Sequence, residues 1–560
     1  MSANSRASVM EQYLGVMEQF LDTQRGSPRR TWLPGVGQAA SLSLVRRTSW
    51  QLVLRRKAPL LGDTVRLVPG QEVVTRRLLD VAEDRFVLDH TVGGRMVSKA
   101  DPEQHGVPVM PMTFTLEVLA EAAGVLVPDQ YVIAIKQIRL LRWLAFEPDE
   151  PALIEVSAKL EGTNDAGQVL VKAEIRDFGP AREPNQKGPR VASGTVVFAR
   201  EYPAPPAPVG LPGDEPRPIT MTVEQVYHNL FHGPMFQGVT RTIRGNDVSI
   251  EAGVEVLPRE RLFRSAPQPD FHFDPVLLDV VLHPLATWHL HQPDLAGRIM
   301  LPVGIDAAEF FAPPAAPGTG LVSRSWISEA NLRSFTHGGE VIAADGSVYL
   351  RLAGVKCWRF YVPFGEVNFH GPKDQYFLGR RWTEVEEKTE TPFALVRLEV
   401  PPDLKQPAMS RVTAQVTLTA AEIAEFRCRT REGGDVHGWL FDRIAAKDAI
   451  RLLWHDRTGE RLYPADIECQ QDEAKYTAHR RGLPGDTFDR AVVAGAGGVV
   501  AALSTSGPAC GLAVGTADEP LDQLKQRCLA GIDGGEQYRV RVVTDGECVV
   551  AYTIGERADA

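Results

Sequence analysis

The sequence predicts an α+β protein in which strands surround one short apolar helix, an arrangement written twice and followed by a third region of different character. Three observations carry this. From Thr113 the apolar residues Phe114, Leu116, Val118, Leu119, Ala122 and Ala123 recur at helical spacing, with strand patterns on both sides. The Pro/Gly-rich stretch Tyr202 to Arg217 then interrupts the chain, and a short helix, strands, an apolar helix and more strands follow it. Beyond Val385 the pattern changes to a strong helix around Trp439 and later strands.

Length and composition bound the answer. At 560 residues, three or four domains of ordinary size are expected, and 44% hydrophobic with 24% charged residues is the balance of a soluble globular protein. The net charge of −10 argues against nucleic acid as a main partner, while leaving room for a local basic patch. No apolar run is long enough to span a bilayer, and the N-terminus lacks the basic-then-apolar design of a secretory signal. A cytoplasmic protein is therefore expected. All six cysteines lie after residue 350 without metal-like spacing, which predicts reduced, buried thiols.

In chain order, Val9 to Leu21 reads as an amphipathic helix, with Met10, Tyr13, Leu14, Met17, Phe20 and Leu21 on one stripe. Either it docks a partner or a second copy of the chain, or it folds onto the body. Gly26 to Arg47 reads as linker. Strands are expected at Thr64–Leu67, Val73–Leu79, Phe86–Asp89, Tyr131–Leu141, Leu153–Leu160, Val169–Ile175 and Val191–Phe198, around a helix from Thr113 to Ala123. Pro108 and Pro111 keep that helix from starting earlier. His90 thus sits where a strand gives way to a glycine turn, facing a helix start with unpaired backbone N–H groups.

In the second copy a short helix from Val223 to Leu230 precedes His232-Gly-Pro-Met-Phe-Gln-Gly238. Strands are expected near Val239–Ile243 and Val248–Val256, then a helix from Pro275 to His291. Further strands follow at Leu301–Phe311, Leu321–Ile327, Glu340–Ala344 and Val348–Tyr361. Asp274 before Pro275 reads as an N-cap with proline at the first helical position. Phe364 to Val385 reads as linker.

His90-Thr-Val-Gly-Gly94 resembles the HxxxG motif of the dehydratases of polyketide and fatty-acid synthases, which have a double hotdog fold. The stretch VPVMPMTFTLEVLAEAA after it is similar to the variant in multidomain bacterial polyketide and polyunsaturated fatty-acid synthases. Where simple dehydratases place a proline, this chain has Lys99 and a longer loop to Pro108. In the second copy, His232 to Gly238 resembles the family's (Y)GPxFQG segment, with histidine in place of tyrosine. Asp274 to His283 is similar to its HPxLLDxxxQ helix, with Asp279 at the aspartate position and His283 at the glutamine position. Leu301-Pro-Val-Gly-Ile305 resembles its LPxxI strand. These matches cover Trp50 to Pro363. Further on, Trp439 to Arg451 is similar to the WxxRxAxKEA helix of phosphopantetheinyl transferases, and Val499 to Val514 resembles that family's serine stretch. No GxDxE motif precedes the helix, Asp448 replaces its glutamate, and Gly507 stands where a histidine is expected. Asp448 reads as a solvated neighbour of Arg451 one turn on.

The resemblance implies two fused hotdog units followed by a smaller, degenerate α+β transferase-like domain. The expected boundaries are 1–48 for the N-terminal helix and linker, 49–201 and 218–363 for the hotdogs, 202–217 and 364–385 for linkers, and 386–560 for the last domain. It also implies a dehydratase acting on 3-hydroxyacyl chains held on the phosphopantetheine of an acyl carrier protein, with other synthase subunits in trans and a homodimer as an option. His90 would be the base and Asp279 the acid, its pKa raised by the apolar helix around it. Donors near Gly94 and Thr113 would stabilise the thioester oxyanion. His232 either hydrogen-bonds in the site or caps the Gly-Pro turn. Gln237 joins it, and His283 either orients Asp279 or packs. No metal or cofactor is expected for dehydration; magnesium would enter only with an active transferase. A cyclase or isomerase resembling product-template domains, or a non-catalytic carrier-binding subunit, are the alternatives.

Overall fold

The computed structural model describes residues 58–146, 152–178, 188–228, 230–290, 298–361, 369–385, 389–472, 474–480 and 487–558. The expected helix Val9–Leu21, its linker and His291 lie outside the described residues. The chain divides into two compact units. The first holds Met1–His90, Pro108–Leu295 and Met300–Phe360; the second holds Thr91–Val107, Ala296–Ile299 and Tyr361–Ala560.

The first unit is built on a 13-stranded sheet. Its first half runs in the order Asp63–Val68, Glu72–Leu78, Leu153–Thr163, Val169–Asp177, Arg190–Ala199, Tyr131–Leu140. Its second half runs Arg298–Phe310, Val348–Tyr361, Ser334–Ile342, Gly320–Ala330, Ser249–Glu255, Val239–Gly245, ending on the short Arg217–Pro218. Read outward from the middle, the two halves repeat one topology. Each has an outer hairpin, then a helical connection to the central strand, then three strands that return toward the middle. The central strands Tyr131–Leu140 and Arg298–Phe310 pair antiparallel, with Ile305 opposite Ile138, so the joint covers two edges that would otherwise be open.

The helix Met112–Gly124 packs on the strands Leu153–Thr163, Val169–Asp177 and Arg190–Ala199 and against the helix Pro275–Val280 of the other half. Every residue from Met112 to Ala123 is buried, as befits a mostly apolar helix that crosses a core. Phe114 stacks on Phe86 at 3.9 Å between ring centroids, and a single apolar core draws on both halves.

Three sequence expectations change here. Residues Arg85–Asp89 form a 3₁₀ turn, not a strand end: Val87 N–H donates to Asp84 O and His90 N–H to Val87 O. Period-two alternation over four residues does not separate strand from turn, and Asp84 just before the turn is buried against Arg77. The long helix expected from Pro275 is two helices, Pro275–Val280 and His283–Leu290. Pro284 has no N–H to offer the Val280 carbonyl, so the ladder breaks there. The presumed linker from Phe364 carries, in its described part, the fully buried Trp382, Phe369 and Lys373. Asp274 does cap its helix, accepting from the N–H groups of Val276 and Leu277; Arg259 Nη2 donates to it at 2.7 Å.

The second unit contains a six-stranded and a three-stranded sheet, with the helix Val436–Thr458 across the strands Phe393–Glu399, Thr487–Ala496 and Val499–Thr505. Asp448 on this helix is buried, not solvated. Its Oδ1 accepts from Arg451 Nη1 at 2.9 Å and its Oδ2 from the N–H groups of Leu378 and Gly379. All six cysteines are unpaired; Cys357, Cys469 and Cys528 are buried, while Cys428 is exposed against expectation.

Glu117 and Glu121 are buried one turn apart within the apolar helix. Glu117 accepts from the N–H groups of His272 and Phe273, and Glu121 from those of Leu60 and Leu61. Burial pushes both carboxyls well above their ordinary 4.5, and each is held down in part by these N–H donors. A raised carboxyl pKa means the folded state holds its proton more tightly. The cost of ionising it is absent below pH 4.5 and grows as pH rises through the folded-state value. Glu121→Gln keeps an oxygen acceptor without the charge, so its stability relative to wild type should rise with pH in urea melts at pH 4.5, 6 and 8. Glu121→Ala strands two N–H groups and should lose about 1–3 kcal/mol for each.

Candidate active site

His90 ends the 3₁₀ turn of the first half, and Asp279 lies in the helix Pro275–Val280 of the second. What joins them is a backbone contact between loops. His90 pairs with His232 as an isolated antiparallel bridge. Asp89 extends it: its carbonyl accepts from Gly233 N–H at 2.7 Å and its carboxylate from Met235 N–H at 2.8 Å. A Cβ at Gly233 would lie 2.6 Å from the Asp89 carboxyl carbon, so only glycine allows this approach. Asp89 was not singled out from sequence. Its sole signal is its place beside His90, because nothing local reveals a partner 146 residues away.

The His90 ring is fixed by a reciprocal clamp. Val109 N–H donates to the His90 carbonyl at 3.0 Å, and His90 Nδ1 lies 2.8 Å from the Val109 carbonyl oxygen. A carbonyl only accepts, so Nδ1 carries the hydrogen and Nε2 of the neutral ring carries the lone pair. Phe231 meets the ring edge-on at 5.0 Å and Phe236 lies 5.7 Å away. Burial pushes the His90 pKa below the ordinary 6.5, against an upward pull from Asp279.

Asp279 Oδ2 lies 3.3 Å from His232 Nε2 and 3.2 Å from His283 Nε2. The His232 and His283 rings are 4.1 Å apart. Ligand-type atoms of His90, His232 and Asp279 all fall within 4.8 Å of one another, and all three residues are buried. The structure therefore gathers four of the expected residues, His90, Asp279, His232 and His283, into one cluster. An imidazole lone pair and a carboxyl group gathered this closely have the chemistry of a base and an acid that could serve one small reacting group. Thr113 is fully buried and its hydroxyl has no hydrogen-bond partner among the described residues.

Two expected residues take other parts. Gly94 belongs to the second unit, where its N–H donates to the Thr91 carbonyl at 3.0 Å. Its donor closes a turn and is not left for an oxyanion. At φ 78° its place suits glycine, and an added Cβ would lie 1.9 Å from the Phe369 carbonyl oxygen. Gln237 spends its amide on the loop itself, donating to the His232 carbonyl at 2.9 Å. It holds His232 in place.

Residues 207–361 match the family model described as "Polyketide synthase dehydratase N-terminal domain". That match supports the polyketide synthase dehydratase family for this part of the chain. The segment contains His232, Asp279 and His283. No curated protein matches the chain. Among solved structures, it is similar to the dehydratase domain from the CurF module of curacin polyketide synthase, at 16% identity and TM-score 0.39 over 54% of this chain and 99% of that one. It is also similar to the dehydratase domain of PpsC from Mycobacterium tuberculosis in complex with C12:1-CoA, at 18% identity and TM-score 0.40 over 54% and 100%. No helix among the described residues is long and apolar enough to cross a membrane.

Two outcomes follow from this geometry. A base works only while neutral, so activity that depends on His90 should fall as pH drops through its depressed pKa. The acid limb of a kcat/KM profile should thus lie below the ordinary imidazole value of 6.5; a limb above 6.5 is the contrary result. Asp89→Ala touches neither ring but orphans the Met235 N–H, and should cost about 1–3 kcal/mol in denaturant melts together with a loss of activity.

Proposed function

We propose that the protein is a dehydratase that removes water from 3-hydroxyacyl chains carried on the phosphopantetheine of an acyl carrier protein, giving a 2,3-enoyl thioester in a polyketide or polyunsaturated fatty-acid type synthase. The observation that carries this reading is the His90 ring, with its lone pair fixed by Val109 and set in one cluster with Asp279. The family match over 207–361 supports it from the sequence side.

In this mechanism His90 Nε2 takes the proton from C2 of the acyl chain, and the electron pair moves toward the thioester carbonyl. The C3–O bond breaks as the Asp279 carboxyl delivers a proton to the departing hydroxyl, so water leaves and the C2–C3 double bond forms. His90 is then protonated and Asp279 ionised; transfer of that proton back to the carboxylate resets the pair. His232 and His283, both beside Asp279 Oδ2, keep the carboxyl oriented and offer it a route for that proton. The N-terminal turn of the helix Met112–Gly124, which no side chain caps, offers N–H donors for the thioester oxygen.

On this reading the repeated topology of the first unit is a double hotdog, and carrier and synthase partners act in trans in a cytoplasmic setting. The last domain is a transferase-like fold that has given up its chemistry. Asp448 is engaged by Arg451, Leu378 and Gly379. Gly507 leaves no space for the histidine of the related motif, since an added Cβ would lie 1.9 Å from the Ile554 carbonyl oxygen.

The test is incubation with 3-hydroxyacyl carrier protein and mass measurement of the acyl chain. Wild type should lose one water per chain. His90→Phe and Asp279→Asn should each slow the loss by about 10²-fold or more, the usual size of an acid–base contribution. Turnover unchanged in both variants would remove the assignment, and a cyclised product without loss of water would replace it with the cyclase reading.

A further inference from the structure

We propose that the cluster of His90, His232 and Asp279 is also a binding site for a zinc-class divalent cation, and that the bound ion shuts off proton chemistry there. The inference rests on the arrangement of ligand atoms and holds whichever reaction the site performs.

The donor set is two imidazoles and one carboxylate, a combination that zinc and its neighbours among the first-row metals take readily. All three side chains are buried, and one ligand-type atom of each lies within 4.8 Å of the other two. Zinc sits about 2.0–2.2 Å from nitrogen and oxygen ligands, which makes tetrahedral ligand-to-ligand edges of about 3.4 Å. His232 Nε2 and Asp279 Oδ2 are already 3.3 Å apart. Only the His90 ring has to approach, by at most about 1.4 Å on the same geometry.

Two surrounding contacts are of the kind that metal ligands acquire. A ligating histidine donates its other ring N–H to a carbonyl or carboxylate, which fixes the tautomer and aims the lone pair. His90 does this through Nδ1 and Val109. A ligating carboxylate is itself hydrogen-bonded, and His283 Nε2, 3.2 Å from Asp279 Oδ2, stands ready to donate to it. The cation would hold the His90 lone pair and the Asp279 carboxylate at once. The base could then accept no proton and the acid could carry none.

The experiment is titration of the metal-free full chain with Zn²⁺ by calorimetry, repeated with Co²⁺ while recording the visible spectrum. One equivalent should bind, and Co²⁺ should give the intense visible bands of a four-coordinate nitrogen and oxygen site. Asp279→Asn and His232→Phe should each weaken binding more than about 100-fold. His283→Phe, which removes a supporting contact and no ligand, should weaken it about 10–100-fold. Near-UV circular dichroism identifies variants that keep the native fold. Where a phenylalanine variant does not, Asp279→Asn, which preserves shape, decides. Absence of binding to wild type overturns the proposal. So does affinity unchanged in a folded Asp279→Asn, because the ion would then sit elsewhere.

Discussion

The first unit depends on a short piece of backbone pairing between its two halves. His90 and His232 lie opposite each other in one bridge, and Asp89 binds the N–H groups of Gly233 and Met235 beside it. Each half alone has a helix, a sheet and a partial set of polar side chains. Only when the two loops are held in register does an imidazole from one half come within reach of a carboxyl from the other. The contact is made of main-chain hydrogen bonds and one buried carboxylate, so it tolerates no slip. That is why glycine occupies position 233, where an added Cβ would strike the carboxyl carbon of Asp89.

The same economy governs the apolar helix. A helix buried on every side has to cross a core, and the loops around it bring backbone N–H groups with them. Glu117 and Glu121 supply acceptors for four such groups. Two carboxyls in an apolar interior carry a large desolvation cost. They remain because leaving several N–H groups unpaired beside the same helix would cost as much or more. Arg77 eases that burden at Glu121 through its charge. The acidic pair is thus loop support, bonded to backbone groups that the histidine–aspartate cluster does not use.

Much of this was legible in the sequence where a local pattern determines a local structure. The strands bounded by turn signals, the helix after Pro111 and the N-cap at Asp274 all follow from spacing and capping chemistry. Four of the candidate residues, His90, Asp279, His232 and His283, come together as their motifs suggested. What could not be read is what depends on distant partners. Gly94 looks like an oxyanion donor until its N–H is found closing a turn on Thr91. Gln237 looks like a substrate contact until its amide is found on the His232 carbonyl. Asp89 shows no pattern at all. In each case the decisive partner is a backbone group, and a sequence does not display which backbone groups are short of partners.

The second unit shows the opposite relation between motif and use. Arg443, Lys447, Asp448 and Arg451 of its long helix lie in the stretch that resembles a transferase motif, and all four are buried in structural contacts. Lys447 donates to Glu422 at 2.6 Å and to the carbonyls of Thr417 and Pro464. Arg451 binds the carbonyls of Leu462, Tyr376, Asp374 and Lys373 as well as Asp448. Asp448 in turn caps the N–H groups of Leu378 and Gly379, and its burial pushes its pKa up to about 6. An ion pair in this setting is held by the groups it satisfies more than by its own attraction, since breaking it would leave one charge and several backbone groups without partners. Folding alone accounts for the placement of Lys447, Asp448 and Arg451, and the described region from Phe369 to Gly379 that looked like a linker is tied to the helix through Asp448 and Arg451.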